Sequence, residues 1–505
     1  MTKNIFLDKL FDGMHIEKIN DKSLCIKGIS CHTDDIREGY LFVCLPGYVA
    51  IGGEKRTDTH HFAKEAITKG AIALVCQQDR KINFDNSDIP IYYTNDAWSA
   101  LSLCSSRFYD QPSKDLRVIG ITGTNGKTTL AYMVEAILQY ANKNVGVIST
   151  INRRFKNLIV PSVNTTPEAN KIHQFMRDSL NLGAEYIVME VTSHALELKR
   201  VKDIKFDICV FTNLSQDHLD FHGTMENYFN AKKKLIQMVD EQQGMIITNV
   251  DNEYGYEIKN HIKKGKLISF GIQNPDADMR AVNIDFSIKG TVFDIHYKKQ
   301  VHRCFINTIG EHNVSNALAA IAVGVSQGIN IDICANALAE TVVPGRSQFV
   351  STNKPFSVVV DFAHTPDGIE KTLCSIRLAN PRRIICIFGC GGNRDKTKRP
   401  IMGKMVDKLA DYIIVTSDNP RDENPNDIIE DIKKGINRDQ DVDFITDRYE
   451  AIKRGLLIAS ENDIVIVLGR GHEEYQTIRG KKVPFSDVKV IDEILNSHNN
   501  NMNLI

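Results

Sequence analysis

The chain has 505 residues, 42% hydrophobic and 25% charged, with a formal net charge of -1. That length exceeds one compact core and predicts two or three domains. The balanced charge gives no basic field for a nucleic-acid partner, and no apolar run reaches the length of a membrane span. The opening "MTKNIFLDKLFDGMHIEKIND" is charged throughout and lacks the apolar core of a secretion signal. Eleven cysteines are scattered without a CxxC pair, which reads as reduced thiols of a cytoplasmic protein, mostly core filler.

Three segments follow in chain order, expected at residues 1–113, 114–345 and 346–505. The first mixes short strands ("YLFVCLPG", "GAIALVC", "IPIYYT") with helical stretches such as "HFAKEAITKG", and "YDQPSKD" reads as a linker. The second alternates apolar strands ("DLRVIG", "AEYIVMEV", "FDICVFTNL") with helical patterns, which implies a parallel sheet with helices on both faces. Around Asp278 to Phe305 the pattern changes to short alternating strands, expected to form an antiparallel appendage. The third alternates again: "FSVVVDFAH", "RIICIFGCGG", "YIIVTSDNP", "DIVIVLGRGHE". The tail "NSHNNNMNLI" is expected to fray. Nearly every unusual polar cluster sits just after an apolar strand, where open parallel sheets bind ligands.

"ITGTNGKTTL", Ile121 to Leu130, lies between a predicted strand and a predicted helix. Backbone N–H groups of such a turn can wrap a phosphate, and the helix N-terminus adds positive potential. Lys127 would pair with phosphate oxygens and Thr128 would hold Mg²⁺. The glycines are Gly120, Gly123 and Gly126, so the strict G-x-x-x-x-G-K-[ST] spacing is not met. A strand–helix turn that binds nothing is the alternative.

Glu190 ends the strand "YIVME", where a Mg²⁺-facing carboxylate is expected; without a phosphate loop it would be a solvated strand end. "QDHLDFHG" puts His218 and His222 at i, i+4, a zinc-pair spacing with no third soft ligand in view. Both could equally be structural. Of Lys232, Lys233 and Lys234 in "NAKKKL", two read as a solvated helix face.

From here the motifs are specific. "GTNGKTT", "NTTPE", "MEVTSHALELKR", "FTNLSQDHLDFHGTMENYFNAK", "GEHNVSNALAA", "VPGRSQ", "VDFAHTPDG", "FGCGGNRDKTKRP", "DNPR" and "GRGHEEYQ" occur in this order. Together they resemble the Mur ligases, specifically the MurE-type UDP-N-acetylmuramoyl-tripeptide synthetases. The resemblance covers nearly the whole chain and is weaker before Gly120. It implies an α/β fold of three domains: an N-terminal mixed α/β UDP-binding domain, a central phosphate-loop ATPase domain with a parallel sheet, and a C-terminal Rossmann-like amino-acid domain. It implies ATP and Mg²⁺ as cofactors and a monomeric enzyme of peptidoglycan synthesis. Its substrates would be UDP-N-acetylmuramoyl-L-alanyl-D-glutamate and meso-2,6-diaminopimelate, joined through an acyl phosphate.

Carried over residue by residue, the resemblance places ATP on Gly123, Thr124, Asn125, Gly126, Lys127, Thr128, Thr129, Asn313 and Arg346. Thr128, Glu190 and His218 would hold the metal, and Lys232 matches a carbamylated lysine. The nucleotide peptide would meet Thr33, Asn164, Thr165, Thr166, Ser193 and Arg200; Leu198 stands where some relatives have a glutamine. In "HTDDIREGYLF", Thr33 keeps a hydroxyl where relatives have Asp-Ser-Arg, while His32 and Asp34 replace its charged neighbours. "AIGGEKR" looks like a small insertion.

"SDNPRDENP" follows the strand "YIIVT" and alone reads as a turn. Its arginine suggests more. Diaminopimelate has lysine's length plus a second amino-acid end, so its pocket needs a cation for the carboxylate and an acid for the ammonium. Arg394 and Arg421 could supply the first and Glu473 the second, with Asp418, Asn419, Pro420 and Gly469 completing the site. "DNPR" is also the diaminopimelate signature of the family. Competing readings are a lysine-adding relative and a phosphate-loop ATPase that drives partner binding. A folylpolyglutamate synthetase would lack the "LFVCLPG" domain, and a non-catalytic relative would be expected to lose Lys127, Glu190 or His218.

Overall fold

The computed structural model describes residues 5–49, 55–82 and 89–502. Residues 50–54 of the "AIGGEKR" stretch, the first four residues and the last three lie outside the described residues. The chain forms two compact units, Met1–Met279 with Ala319–Ile329, and Arg280–Leu318 with Asn330–Ile505. The first two expected segments fall largely in the first unit, and the antiparallel strands belong to the second.

The first unit carries two large sheets. One runs in the order Glu17–Ile19, Ile91–Thr94, Ala71–Gln77, Tyr40–Val43, Gly28–Ser30, parallel except for its first strand. The other has a parallel part ordered Val145–Ile148, Tyr186–Glu190, Arg117–Thr122, Ile208–Phe211, Met245–Asn249, Lys266–Gly271. Its central strands are buried nearly end to end and read as short, mostly apolar runs such as "ICVF", as expected where helices cover both faces of a parallel sheet. The linker "YDQPSKD" contains a short 3-10 turn, Pro112–Lys114.

The helix Met225–Glu241 shows how phase selects a buried side chain. Thr224 caps it by accepting from Asn227 N at 3.1 Å. Tyr228, Phe229, Ala231, Lys232, Leu235, Ile236 and Val239 face inward at helical spacing, so Lys232 joins the apolar stripe. Lys233 and Lys234 instead pair with Glu257 at 3.1 Å and Glu197 at 2.7 Å.

In the second unit, Gly290–Tyr297 and Gln300–Ile306 form an antiparallel pair. A six-stranded sheet runs Gln348–Val350, Ser357–Asp361, Ile464–Leu468, Ile384–Phe388, Tyr412–Val415, Val442–Phe444, parallel except at its first strand. A helix, Asp487–Met502, packs Ile491 and Ile494 into the core beside Val465 and Val467 and runs on into the tail, whose last three residues lie outside the described residues. Among the described residues no helix is long and apolar enough to cross a membrane. All eleven cysteines are free and nine are buried, with thiols such as Cys104 pushed up to about 12 by burial.

Candidate active site

The strand Arg117–Thr122 lies between Tyr186–Glu190 and Ile208–Phe211, so the loop that follows opens at the carboxyl ends of three parallel strands. Gly123 and Gly126 have φ of +145° and +87°, conformations that favour glycine. A Cβ on Gly123 would stand 2.0 Å from Thr212 Oγ1. Thr124 N donates to Asn213 O at 2.9 Å, Asn125 N to Asn213 Oδ1 at 3.0 Å, and Thr212 Oγ1 to Asn125 O at 2.7 Å. These bonds pin the loop to the neighbouring strand end. The helix Lys127–Tyr140 starts at Gly126 with no side-chain cap, which leaves its head suited to an anion. Lys127 Nζ donates to the Gly123 and Thr124 carbonyls, each at 2.8 Å.

Behind the loop, Glu190 is 1% exposed. Its carboxylate accepts from Thr150 N at 2.9 Å and Thr150 Oγ1 at 3.0 Å. Thr150 Oγ1 also meets Thr128 Oγ1 at 3.4 Å and Thr165 Oγ1 at 3.1 Å. Thr150, which no motif had marked, therefore joins the loop hydroxyl, the carboxylate and the "NTT" segment. Only the sheet order, which sets the end of Val145–Ile148 beside that of Tyr186–Glu190, brings it there. Thr128 and Glu190 are oxygen donors of the kind a hard cation takes. Thr129 is buried one residue further into the helix.

Lys232 is also 1% exposed; its Nζ donates to Gly123 O at 2.8 Å and lies 4.6 Å from the Tyr228 ring centre. Burial, then the nearby Lys127 charge, holds it well below the usual lysine range. The Tyr228 hydroxyl meets Thr124 Oγ1 at 3.2 Å. His218 has φ of +51° and packs on His194 at 4.8 Å between ring centres. Burial and the charges of Lys232 and Lys127 hold it below the usual histidine range. Among the described residues no hydrogen bond joins His218 to Glu190 or Thr128. His222 is engaged elsewhere, its Nε2 bonded to Ser193 Oγ at 2.9 Å, so the i, i+4 pair does not converge as a zinc site. The described residues bring together one other possible metal group, Cys44, His60 and Cys76. There His60 Nδ1 pairs with Asp58 at 2.5 Å and Nε2 accepts from Gln77 N at 3.0 Å, which occupies both ring nitrogens.

The residues expected to meet a nucleotide peptide lie near this centre in part. Thr166 Oγ1 donates to Glu190 O at 2.8 Å. Arg200 pairs with Glu168 at 2.9 Å and donates to Thr166 O at 2.9 Å. Asn164 is exposed, Ser193 is buried, and Leu198 closes the helix Ser193–Glu197. Thr33 starts the turn Thr33–Asp35 in the first sheet's domain, where Asp35 pairs with Lys171 at 2.9 Å.

Asn313 and Arg346 belong to the second unit. Asn313 Nδ2 donates to Ile309 O at 3.0 Å, and the Arg346 guanidinium lies 4.7 Å from the Phe362 ring centre. In the same unit a cavity of about 490 Å³ is lined by Arg394, Asp418, Asn419, Arg421, Gly469 and Glu473. Pro420, expected in this site, is not among the lining residues; its carbonyl lies 2.0 Å from where a Cβ of Gly392 would be. Arg421 has φ of +51° and donates to Gly392 O at 2.5 Å. Asn419 Nδ2 donates to Glu473 Oε2 at 2.7 Å. Burial raises the Glu473 carboxyl above its usual range, against the pull of Asn419 and the nearby arginines. The Arg394 loop is anchored by Glu423, which accepts from Asn393 N at 2.6 Å and pairs with buried Arg399 at 2.9 Å. Those bonds bring the Glu423 carboxyl down to about 2. Lys398, Thr365 and His364 also line the cavity; the sequence reading assigned them no role.

A glycine loop at the head of a parallel sheet, backed by a buried lysine and carboxylate, defines a phosphate-loop α/β protein. A Mur ligase middle domain matches residues 121–324, and a Mur ligase, glutamate ligase domain matches residues 345–471. A UDP-N-acetylmuramoyl-L-alanyl-D-glutamate--2,6-diaminopimelate ligase of Clostridium botulinum is 39% identical, covering 97% of this chain and 99% of its own. The enzyme of that name from Aquifex aeolicus is 41% identical, over 93% and 94%. A solved structure of a ligase of that name superposes with a TM-score of 0.72 at 28% identity, covering 98% of this chain and all of its own. The chain belongs to the Mur ligase family.

Proposed function

We propose that the chain joins meso-2,6-diaminopimelate to UDP-N-acetylmuramoyl-L-alanyl-D-glutamate, using ATP, in the cytoplasmic stage of peptidoglycan synthesis. The observation that carries this reading is the cavity with Arg394 and Arg421 set against Glu473, in a chain that also holds the Lys127 loop. Two arginines suit a carboxylate and one glutamate an ammonium, which is the far end of diaminopimelate and not of lysine.

The functional division follows the expected segments: residues 1–113 for the UDP end, 114–345 for ATP and 346–505 for the amino acid, within a monomer. The loop N–H groups and Lys127 would cradle the phosphates; Asn313 and Arg346 carry over from the family resemblance as further ATP-binding residues. Thr128, Glu190 and His218 would hold Mg²⁺, which when bound screens the repulsion between phosphate and attacking carboxylate. The substrate carboxylate takes the γ-phosphoryl group and ADP leaves. The amine then attacks the acyl carbon, and phosphate departs as the amide forms. Thr165, Thr166, Ser193 and Arg200 would orient the peptide, with Thr33 and Asn164 nearer the nucleotide.

The test is phosphate release by purified protein with ATP and Mg²⁺. Release should require both the UDP-linked dipeptide and an amino acid, with diaminopimelate preferred over lysine. Equal ATP turnover without either substrate rejects the ligase reading; a kcat/KM for lysine equal to or above that for diaminopimelate rejects the amino acid assigned.

A further inference from the structure

The pocket's two charged ends sit on separate loops, Ser417–Arg421 and Gly469–Glu473. Arg421 holds a left-handed conformation that a non-glycine residue adopts at a cost, so something must over-determine it. The hairpin Tyr475–Ile478 and Lys481–Pro484, which leaves the pocket directly after Glu473, supplies the bonds. Thr477 N donates to Asn419 Oδ1 at 2.8 Å, Arg421 N donates to Thr477 O at 2.9 Å, and Arg479 N donates to Arg421 O at 2.6 Å. Gln476 Nε2 donates to Asp418 O and, at 3.1 Å, to Ser417 Oγ.

The hairpin is otherwise poorly tied down. Its second strand is exposed throughout, Tyr475 and Ile478 are exposed, and its turn, Arg479–Gly480, takes positive φ at both residues. A two-stranded ribbon of this kind has little stability of its own. Gln476 is the buried member of its first strand, 7% exposed, and its amide is spent on the specificity loop. Asn419 completes the circuit: it accepts from the hairpin with Oδ1 and donates to Glu473 with Nδ2.

We propose that this hairpin is a strap that sets the separation of Arg421 and Glu473, and that Gln476 is a positioning residue for amino-acid selection. It touches no substrate; it acts through Asp418, Asn419 and the Arg421 backbone. The proposal rests on the assignment of the amino-acid pocket made above, and deepens it.

The experiment uses full-length protein and compares Gln476→Glu, Gln476→Ala, Gly480→Val and the control Arg421→Ala. Gln476→Glu keeps the shape but removes the donor and faces Asp418 O with a second acceptor. Its KM for diaminopimelate should rise about tenfold or more, since misplacement of a binding group by an ångström has large effects. The KM values for ATP and the UDP-linked dipeptide should stay within about twofold, and preference over lysine should shrink. Gln476→Ala should show the same split. Gly480 lies at the turn with φ of +72° and nothing within 4 Å of a Cβ, so Gly480→Val strains the strap alone. If both Gln476 variants fail to fold, a selective rise in Gly480→Val supports the strap and an unchanged KM overturns it. An unchanged KM for diaminopimelate in folded Gln476→Glu overturns the strap while Arg421→Ala still loses selectivity. If Arg421→Ala also leaves selectivity intact, the pocket assignment itself falls.

Discussion

Arg421→Ala tests the amino-acid pocket most directly. The side chain lines the cavity and spends one donor on Gly392 O, leaving the rest of its five-donor fork for a ligand carboxylate. A charge-assisted hydrogen bond contributes about 1.5–3 kcal/mol. Converted at ~1.4 kcal/mol per tenfold, the variant should lose about 10- to 150-fold in kcat/KM for diaminopimelate. Lysine has no second carboxylate, so its kcat/KM should move by only about two- to threefold. Alanine at φ of +51° keeps the backbone cost that arginine bears, and Arg421→Gly relieves it, so the glycine variant separates loop strain from lost contact. The assay is phosphate release at varied amino acid with the UDP-linked dipeptide saturating. An equal loss for both amino acids in both variants would refute the reasoning, because it would mean a damaged site rather than a missing partner.

Burial raises Glu473, so its carboxylate, the proposed partner of the ammonium, takes a proton at a pH above the ordinary range. As pH falls, kcat/KM for diaminopimelate should therefore decline early, and Glu473→Gln should remove that limb of the profile. His173 is wholly buried with neither ring nitrogen bonded among the described residues, and burial lowers it to about 3. Its folded pKa is depressed, so the unfolded chain protonates first and stability is lost as pH drops below about 6.5, by about 2 kcal/mol at pH 5; denaturant melts of His173→Leu should lack that increment, and parallel pH slopes would contradict it. Gly123→Ala must push the loop off Thr212 Oγ1. Phosphate release should fall on the order of 100-fold, with near-normal activity as the contrary result.

Much of this was legible in order and little of it in space. Strand–helix alternation and the glycine loop are local patterns, so the sheets and the head of Lys127–Tyr140 follow from the sequence. Helical phase alone separates Lys232 from its two neighbours once Tyr228, Leu235 and Val239 mark the buried stripe. Thr150 could not be found this way, because its role depends on which strands are adjacent. Gln476 escaped for a similar reason: its partner Asp418 is 58 residues away, on another loop.

Lys232 and Lys127 raise a problem of charge whose answer leads to the last prediction. Both ammonium groups donate to the same oxygen, Gly123 O, each at 2.8 Å. Two cations on one carbonyl repel, and Lys232 is the more deeply buried, so it is the one whose proton is least favoured. A neutral amine can still donate N–H to Gly123 O, and its lone pair is then free to attack the carbon of CO₂. The new N–C bond would form with loss of one nitrogen proton, and the side chain would become an anion beside Lys127. Repulsion would become attraction, and an anion would stand where the proposed cation and phosphates meet. Lys232→Ala should therefore abolish nearly all activity, with partial rescue by a short carboxylic acid such as formate or acetate. Wild-type protein prepared free of CO₂ should be less active and recover with bicarbonate. Lys233→Ala and Lys234→Ala lose half-buried ion pairs, and Lys233 also its contact with the Phe229 ring; they should change stability by about 1 kcal/mol or less and leave the rate unaltered. Full activity in Lys232→Ala would end the carbamate reading. Indifference to bicarbonate, with no rescue by a carboxylic acid, would leave Lys232 as a neutral amine that only braces the loop.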